Sequence, residues 1–351
     1  MSQFLALENN ISVIIPVFNA SDFVSKAVES ALMQREVGEV ILIEDASKDN
    51  SLEICRQLQE KYEKVKLLTH PKNANRGAGE SRNLGIKYAL CDYIAFLDAD
   101  DYFLPNRFRA ERSIFKNDAT ADGVYGSMGF HYYSEEGKRK YNEQGYGEPV
   151  TIEGSISGQE LLFSLLFLHP KYNGNFHLNT LTIKKEALLT KTPLFNSLVM
   201  HEDTSFLIPL TINCSIRAGV IDEPIVMYGV HDHNRIISND PKNGSYIKQW
   251  KYLYDWSRTS EKGKQYSIIF HAFLAKEQLV LSKRFPGIFK MAWHCLRNPL
   301  FLRKSFFFRP VCIHLFGKYL GWYVINFKEQ TQNKYFKDNS NSSVFDEMFI
   351  K

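Results

Sequence analysis

Cysteine is scarce and scattered in this chain. Cys55, Cys91, Cys214, Cys295 and Cys312 are odd in number and form no Cys-x-x-Cys pair. That pattern argues against a disulfide framework and a thiolate zinc site, and for reduced thiols in a cytosolic setting. Long uncharged apolar runs are missing too. Ile11 to Val17 has only the length of a strand, so no segment is expected to cross a bilayer. The N-terminus lacks the basic flank and small-residue cleavage site of a signal peptide, which predicts a cytoplasmic protein. From Gln278 to Lys328 there is no Asp or Glu, while nine Lys or Arg and twelve aromatics crowd the same stretch. The net charge of +4 therefore splits into a body of about −5 and a basic, aromatic tail. No internal repeat is visible.

The rest is ordinary globular material, with 44% hydrophobic and 23% charged residues over 351 positions. That length accommodates one full domain and an appendage. Buried strands are predicted at Ser12 to Val17, Val40 to Ile43, Val65 to Leu68 and Tyr93 to Leu97. Helical spacing lies between them. Ser21 or Asp22 is placed to cap a helix through Val24, Ala27, Val28 and Leu32; Asn50 or Ser51 caps another through Ile54, Leu58 and Tyr62; a third spans Glu80 to Leu90. This cadence predicts a parallel sheet with helices on its faces, and ligands beyond the carboxyl ends of its strands. After Pro105 a helix from about Asn106 to Lys116, a strand near Gly123 to Tyr125 and an exposed hairpin from Met128 to Tyr146 are expected. A helix at Gly158 to Leu168, a strand at Leu178 to Ile183, and a helix opened by Glu202-Asp203 follow. Two further strands, Cys214 to Val220 and Pro224 to Val230, close this half. The polar stretch Asn234 to Tyr246 suggests a boundary, giving domains of 1–240 and 241–351.

Acidic residues fall where ligands should. Asp98-Ala99-Asp100-Asp101 ends the fourth strand, and Glu202-Asp203 lies about a hundred residues later. Carboxylates crowded at a strand end repel one another unless a cation sits between them. A hard divalent ion such as Mg²⁺, held by one or two carboxylates and substrate phosphates, meets that need. The second pair is then available as a base. The combination points to a metal-dependent enzyme acting on a diphosphate compound.

Five blocks in this order resemble the family 2 glycosyltransferases. They are Ser12-Val13-Ile14-Ile15-Pro16-Val17-Phe18-Asn19; Glu44-Asp45-Ala46-Ser47-Lys48-Asp49-Asn50-Ser51; Asn75-Arg76-Gly77-Ala78-Gly79-Glu80-Ser81-Arg82-Asn83-Leu84-Gly85; Asp98-Ala99-Asp100-Asp101; and Glu202-Asp203. The resemblance covers roughly residues 11 to 235. It implies an α/β fold of GT-A type, a mostly parallel sheet flanked by helices, with a mostly helical C-terminal appendage. The nucleotide-binding half would be about 11–101 and the acceptor half about 102–240.

The resemblance also implies roles. Phe18 and Asn19 would lie near the nucleotide base with Pro16 shaping the backbone, and Asp45 would accept a hydrogen bond from the base. Glu44 replaces the commoner Asp with its charge unchanged. Arg82 would face the nucleotide or the Asp cluster. Asp100 or Asp101 would bind Mg²⁺ or Mn²⁺, and Asp98, beside Ala99, would reach the ribose or the metal shell. The ion would stabilise charge on the departing diphosphate. Asp203 would be the general base of an inverting transfer, with Glu202 orienting the acceptor or supporting the base. His231, His233 and Asn234 would contact the diphosphate, and Asn175 and His177 would line the acceptor side. His231 and His233 lack further ligands at useful spacing for zinc. Gly77 and Gly79 lack the third glycine of a dinucleotide fingerprint.

The implied reaction moves a sugar from a nucleotide diphosphate sugar, such as a UDP-hexose or UDP-N-acetylhexosamine, to a hydroxyl of a glycan or lipid-linked saccharide, as in cell-envelope polysaccharide synthesis. A nucleotidyltransferase and a non-catalytic membrane-associated assembly protein are the rival readings. The basic tail carries no nucleic-acid motif, and its composition fits peripheral contact with an anionic membrane surface.

Overall fold

The computed structural model describes residues 7–143, 152, 154–172, 174–198, 200–232, 234 and 244–282. By compactness the chain divides into Met1–Phe270 and His271–Lys351. In the first unit a sheet begins with β1 (Ile11–Val17), β2 (Val37–Glu44), β3 (Val65–Thr69) and β4 (Tyr93–Phe96). Helices α1 (Val24–Leu32), α2 (Ser51–Lys61) and α3 (Ala78–Tyr88) alternate with them. Then follow β5 (Tyr102–Phe103), α4 (Arg109–Asn117), β6 (Gly123–Tyr125), β7 (Ser127–Tyr132), α5 (Glu135–Glu143) and α6 (Gly158–Leu165). Next come β8 (Thr182–Lys184), α7 (Lys185–Thr190), α8 (Glu202–Asn213), β9 (Ile216–Ala218) and β10 (Pro224–Val230). Helix α9 (Ser245–Thr259) lies within the first unit, and α10 (Ser267–Ser282) runs through the division point.

Seven strands form the main sheet in the order β3-β2-β1-β4-β8-β6-β9. The first four are parallel; β8 is antiparallel to both β4 and β6. A second sheet has the order β5-β10-β7. Interior parallel strands are covered on both faces, so they read as near-continuous apolar runs. Alternation along β1 then sorts its side chains. Val13, Ile15 and Val17 pack with Val24, Val28 and Ala31 of α1. Ile14 packs on the other face with Ile41, Ile43 and Ile86. On that face α3 lies close to the sheet, since a Cβ added at Gly85 would come 2.5 Å from Ile14 Cγ2.

Several local expectations need correction. Met128 onward is not a hairpin: β7 pairs in parallel with β10, and the chain then enters α5. Ser134 Oγ accepts from Gly137 N at 2.9 Å, and Arg139 joins Glu136 and Glu143 at spacings of three and four, so the charged residues make a helix surface. The stretch from Leu178 is a 3-10 turn, Leu178–Thr180, before β8. There the His177 ring accepts from Asn179 N and the Thr180 hydroxyl donates to His177 O, local bonds that compete with a strand ladder. Neither α1 nor α2 has a side-chain cap of the expected kind; instead Asp49 Oδ1 accepts from Ser51 N ahead of α2. Among the described residues no helix is long and apolar enough to cross a membrane.

Candidate active site

The ends of β1, β2 and β3 are knitted into one rim. Asn19 takes a left-handed backbone, φ 51°, beyond β1; its N–H donates to Ser47 Oγ and its Oδ1 accepts from Lys48 N. Glu44 is buried and accepts from Ala46 N and Ser47 N. Asp45 is also buried, and its two oxygens accept from Arg76 N at 2.6 Å and Gly77 N at 2.8 Å. A carboxylate has about four acceptor positions, so Asp45 can hold this loop and still receive one more donor. Pro16 pairs with Ile43 across the strands, and Phe18 projects from the rim, 49% exposed.

Arg82 joins the two acidic blocks. Its guanidinium is 2% exposed and donates through Nη2 to Asp98 Oδ1 and through Nη1 to Asp203 Oδ1, both at 2.7 Å; Glu202 Oε1 lies 4.0 Å away. Burial works against the charged form of Arg82, but Asp203, Asp98 and Glu202 outweigh it and raise its pKa. Two backbone features allow this approach. A Cβ at Gly79 would meet Asn196 O at 2.9 Å, so a glycine there lets the N-terminus of α3 reach the loop before α8. His201 is left-handed, φ 64°, and turns the chain so that Glu202 and Asp203 open α8. Its ring stacks on Tyr246 and its Nε2 lies 3.0 Å from Ser245 Oγ. Such a conformation costs a non-glycine residue about 1 kcal/mol, and strain of this kind clusters at functional sites.

Beyond β4 the acidic block splits. Asp98 and Asp101, with His177, present ligand atoms that all lie within 4.8 Å of one another. Asp101 is 1% exposed; its Oδ1 accepts from Gly229 N and its Oδ2 from Asn179 Nδ2. Burial, then the charges of Asp100 and Asp98, push the Asp101 carboxyl well up from its ordinary value. Asp100 turns the other way. Its Oδ2 lies 3.2 Å from His231 Nε2 and 3.2 Å from Asn234 Nδ2, and the His231 ring stacks on Phe23 at 4.4 Å. Ala99 between them is buried.

Whether a divalent ion suits this cluster follows from its donors. Two carboxylates, one of them buried beside other negative charges, make an oxygen-rich, anionic site of the kind Mg²⁺ and Mn²⁺ occupy. His177 has a further condition to meet. Its Nδ1 accepts from Asn179 N at 3.3 Å, so a neutral ring with that bond carries its proton on Nε2. It ligates only by giving Nδ1 to the ion or by changing tautomer. The donor set fits the ion through Asp98 and Asp101, with His177 as an auxiliary.

The structure thus gathers Arg82, Asp98, Asp101, His177, Glu202 and Asp203 around one centre, with Asp100 and His231 on a neighbouring pair. Asn175 is exposed, two residues ahead of His177. His233 and most of the 278–328 segment lie outside the described residues. Sequence reasoning missed Asn179 and Phe23. An amide in the run Leu178-Asn179-Thr180 and a phenylalanine at a helix start carry no motif; only the fold reveals what they touch.

Residues 12–175 match the model of glycosyl transferase family 2. The glycosyltransferase YibD of Escherichia coli K12 is 44% identical over 101 residues, which cover 28% of each chain. The poly(ribitol-phosphate) beta-glucosyltransferase of Bacillus spizizenii is 41% identical over 95 residues, 26% of this chain and 15% of that one. The matched stretch therefore spans well under half of these relatives' length. In structure the chain resembles S. aureus TarS 1-349 in complex with UDP-GlcNAc, with a TM-score of 0.55 and 18% identity over 77% of this chain and 71% of that one. At that identity the likeness establishes the fold, which is GT-A.

Proposed function

We propose, from the match of residues 12–175 to the model of glycosyl transferase family 2 and from the geometry of the site, that the chain is an inverting, divalent-metal-dependent glycosyltransferase. It moves a sugar from a nucleotide diphosphate sugar to a hydroxyl of a glycan or lipid-linked saccharide. A UDP-hexose or UDP-N-acetylhexosamine is the donor in this reading. The complex of TarS with UDP-GlcNAc supports that donor class, and the named activity of the Bacillus relative supports a polymeric hydroxyl acceptor.

One observation carries the reading: a single buried guanidinium binds Asp98 on the metal side and Asp203 on the base side. In the proposed site Asp98 and Asp101 hold Mg²⁺ or Mn²⁺, joined by His177 when its ring is free to ligate. Such an ion acts as a Lewis acid for the diphosphate. Asp203 is 33% exposed at its side chain and uses Oδ1 for Arg82, which leaves Oδ2 for the acceptor hydroxyl in this reading. That carboxylate takes the acceptor hydroxyl proton as the hydroxyl oxygen attacks the anomeric carbon. The bond from that carbon to the diphosphate oxygen breaks, and its electron pair leaves with the nucleoside diphosphate. Arg82 fixes the orientation of the base, while Phe18, Asn19 and Asp45 hold the base end of the donor. Asp100 and His231 stand beside the diphosphate.

Asp203→Asn keeps the shape of the base and removes its proton affinity. The variant should lose transfer by about 10²-fold or more while nucleotide binding with Mn²⁺ stays near that of the parent protein. Near-normal transfer by Asp203→Asn would refute the base assignment. Release of pyrophosphate in place of a nucleoside diphosphate would point to nucleotidyl transfer.

A further inference from the structure

We propose that Asn179 is the positioning residue of the cation site, setting the separation of Asp98 and Asp101, and that a fully buried ion pair behind it holds it in place. The proposal rests on the reading that these carboxylates bind a divalent ion. Asn179 is completely buried, and its carboxamide spans the two. The Oδ1 accepts from the backbone N–H of Asp98 at 3.2 Å, and the Nδ2 donates to Asp101 Oδ2. Its own N–H meets the His177 ring. One residue, through its carboxamide and its backbone N–H, thus contacts each residue of the candidate donor set, at the Asp98 backbone, the Asp101 carboxylate and the His177 ring, yet is itself fully buried.

What fixes Asn179 is equally particular. Arg107 Nη2 donates to the Asn179 carbonyl at 3.3 Å and to Thr182 Oγ1 at 3.4 Å. Arg107 Nη1 reaches Glu111 Oε1 at 2.5 Å, and the Thr182 hydroxyl donates to the same oxygen at 2.9 Å. Arg107 and Thr182 are 0% exposed and Glu111 is 1% exposed, and burial lowers the pKa of Arg107. Arg107 Nε and Glu111 Oε2 lack partners altogether. A buried pair left partly unsatisfied is a poor source of stability compared with apolar packing, so its use here is better explained by position than by energy. It ties α4 to the turn that carries His177 and Asn179 and to the start of β8, which lies beside β4. Asp98 and Asp101 follow directly from β4. The line from Glu111 through Arg107 and Asn179 to Asp101 is continuous.

Outer partners that orient metal ligands typically change metal affinity by about 10–100-fold when removed. Mn²⁺ titrated into the full chain in the presence of UDP, followed by electron paramagnetic resonance, reads that affinity without turnover. Asn179→Ala and Asn179→Ser should weaken Mn²⁺ by about 10-fold or more, and raising Mn²⁺ should restore saturation and turnover. Circular dichroism and the melting temperature identify any variant that fails to fold, and Thr182→Val tests the relay without removing a contact to Asp98 or Asp101. It should weaken Mn²⁺ in the same direction but less. Folded Asn179 variants with the Mn²⁺ affinity of the parent chain would overturn the proposal, and if Asp101→Asn still abolished binding, the cation reading would survive alone. Absence of Mn²⁺ binding by the parent chain would remove both.

Discussion

Arg82 illustrates how much depends on the shape of one side chain. Its planar fork places separate N–H donors on Asp98 and Asp203, a geometry that a lysine ammonium, a compact point charge on a flexible stem, does not reproduce. Arg82→Lys keeps the charge and breaks the bridge. Misplacement by about an ångström at a reacting group can cost about 10²-fold. The variant is therefore expected to lose roughly that factor in kcat, with nucleotide affinity changed far less, as steady-state kinetics and nucleotide titration would record. Equal losses in kcat and nucleotide binding would assign Arg82 to the donor instead. The acidic residues were legible at this scale because like charges at a strand end are conspicuous. Their division of labour was not. Asp100 and Asp101 are adjacent in sequence, yet one faces His231 and the other is sealed behind Gly229 and Asn179, and no property of the pair predicts which is which.

Between elements, the entry ends of the first strands are held by a carboxylate. Glu39 on β2 accepts from Lys66 Nζ on β3 at 2.7 Å, from Ser12 Oγ on β1 at 2.6 Å, and from Leu90 N beyond α3 at 2.6 Å. Burial raises its pKa, but Lys66, Ser12 and the Leu90 N–H together outweigh it, and the net shift is downward. A carboxylate whose folded pKa is depressed adds stability that is fully present above the unfolded value, about 4.3, and is lost as pH falls through the folded one. Glu39→Gln should therefore unfold at lower urea than the parent chain at pH 7, and the gap should narrow steadily below about pH 4. A gap that stays constant into acid would mean that shape, not charge, sets the contribution of Glu39. The parallel strands themselves were readable because burial on both faces forces a continuous apolar run, as in β1 and β2. The second sheet was not. Strand β7 finds its partner β10 about a hundred residues later, and nothing local in Ser127 to Tyr132 tells a long-range partner from a hairpin.

At the scale of the whole molecule, charge is distributed against the simple total. Nine Lys or Arg and no Asp or Glu lie from Gln278 to Lys328, interleaved with twelve aromatics, while the remainder is about −5. A cation near an anionic bilayer contributes about 1 kcal/mol, and aromatic rings favour the boundary between headgroups and chains. Several such cations give binding that a single one does not. A chain held at an anionic surface in this way would meet an acceptor carried on a lipid there, so the proposed chemistry and this composition are compatible. The full chain should co-sediment with vesicles containing anionic lipid at low salt and not with neutral vesicles. Because the screening length shrinks from about 10 Å at 0.1 M to about 3 Å at 1 M, high salt should release most of it. Replacing Arg303, Lys304 and Arg309 by Gln should weaken the association while transfer to a soluble acceptor continues, since the proposed chemistry is assigned to other residues. Failure to bind anionic vesicles at any salt would direct these aromatics toward a protein surface, and the link between the tail and a lipid-borne acceptor would fall.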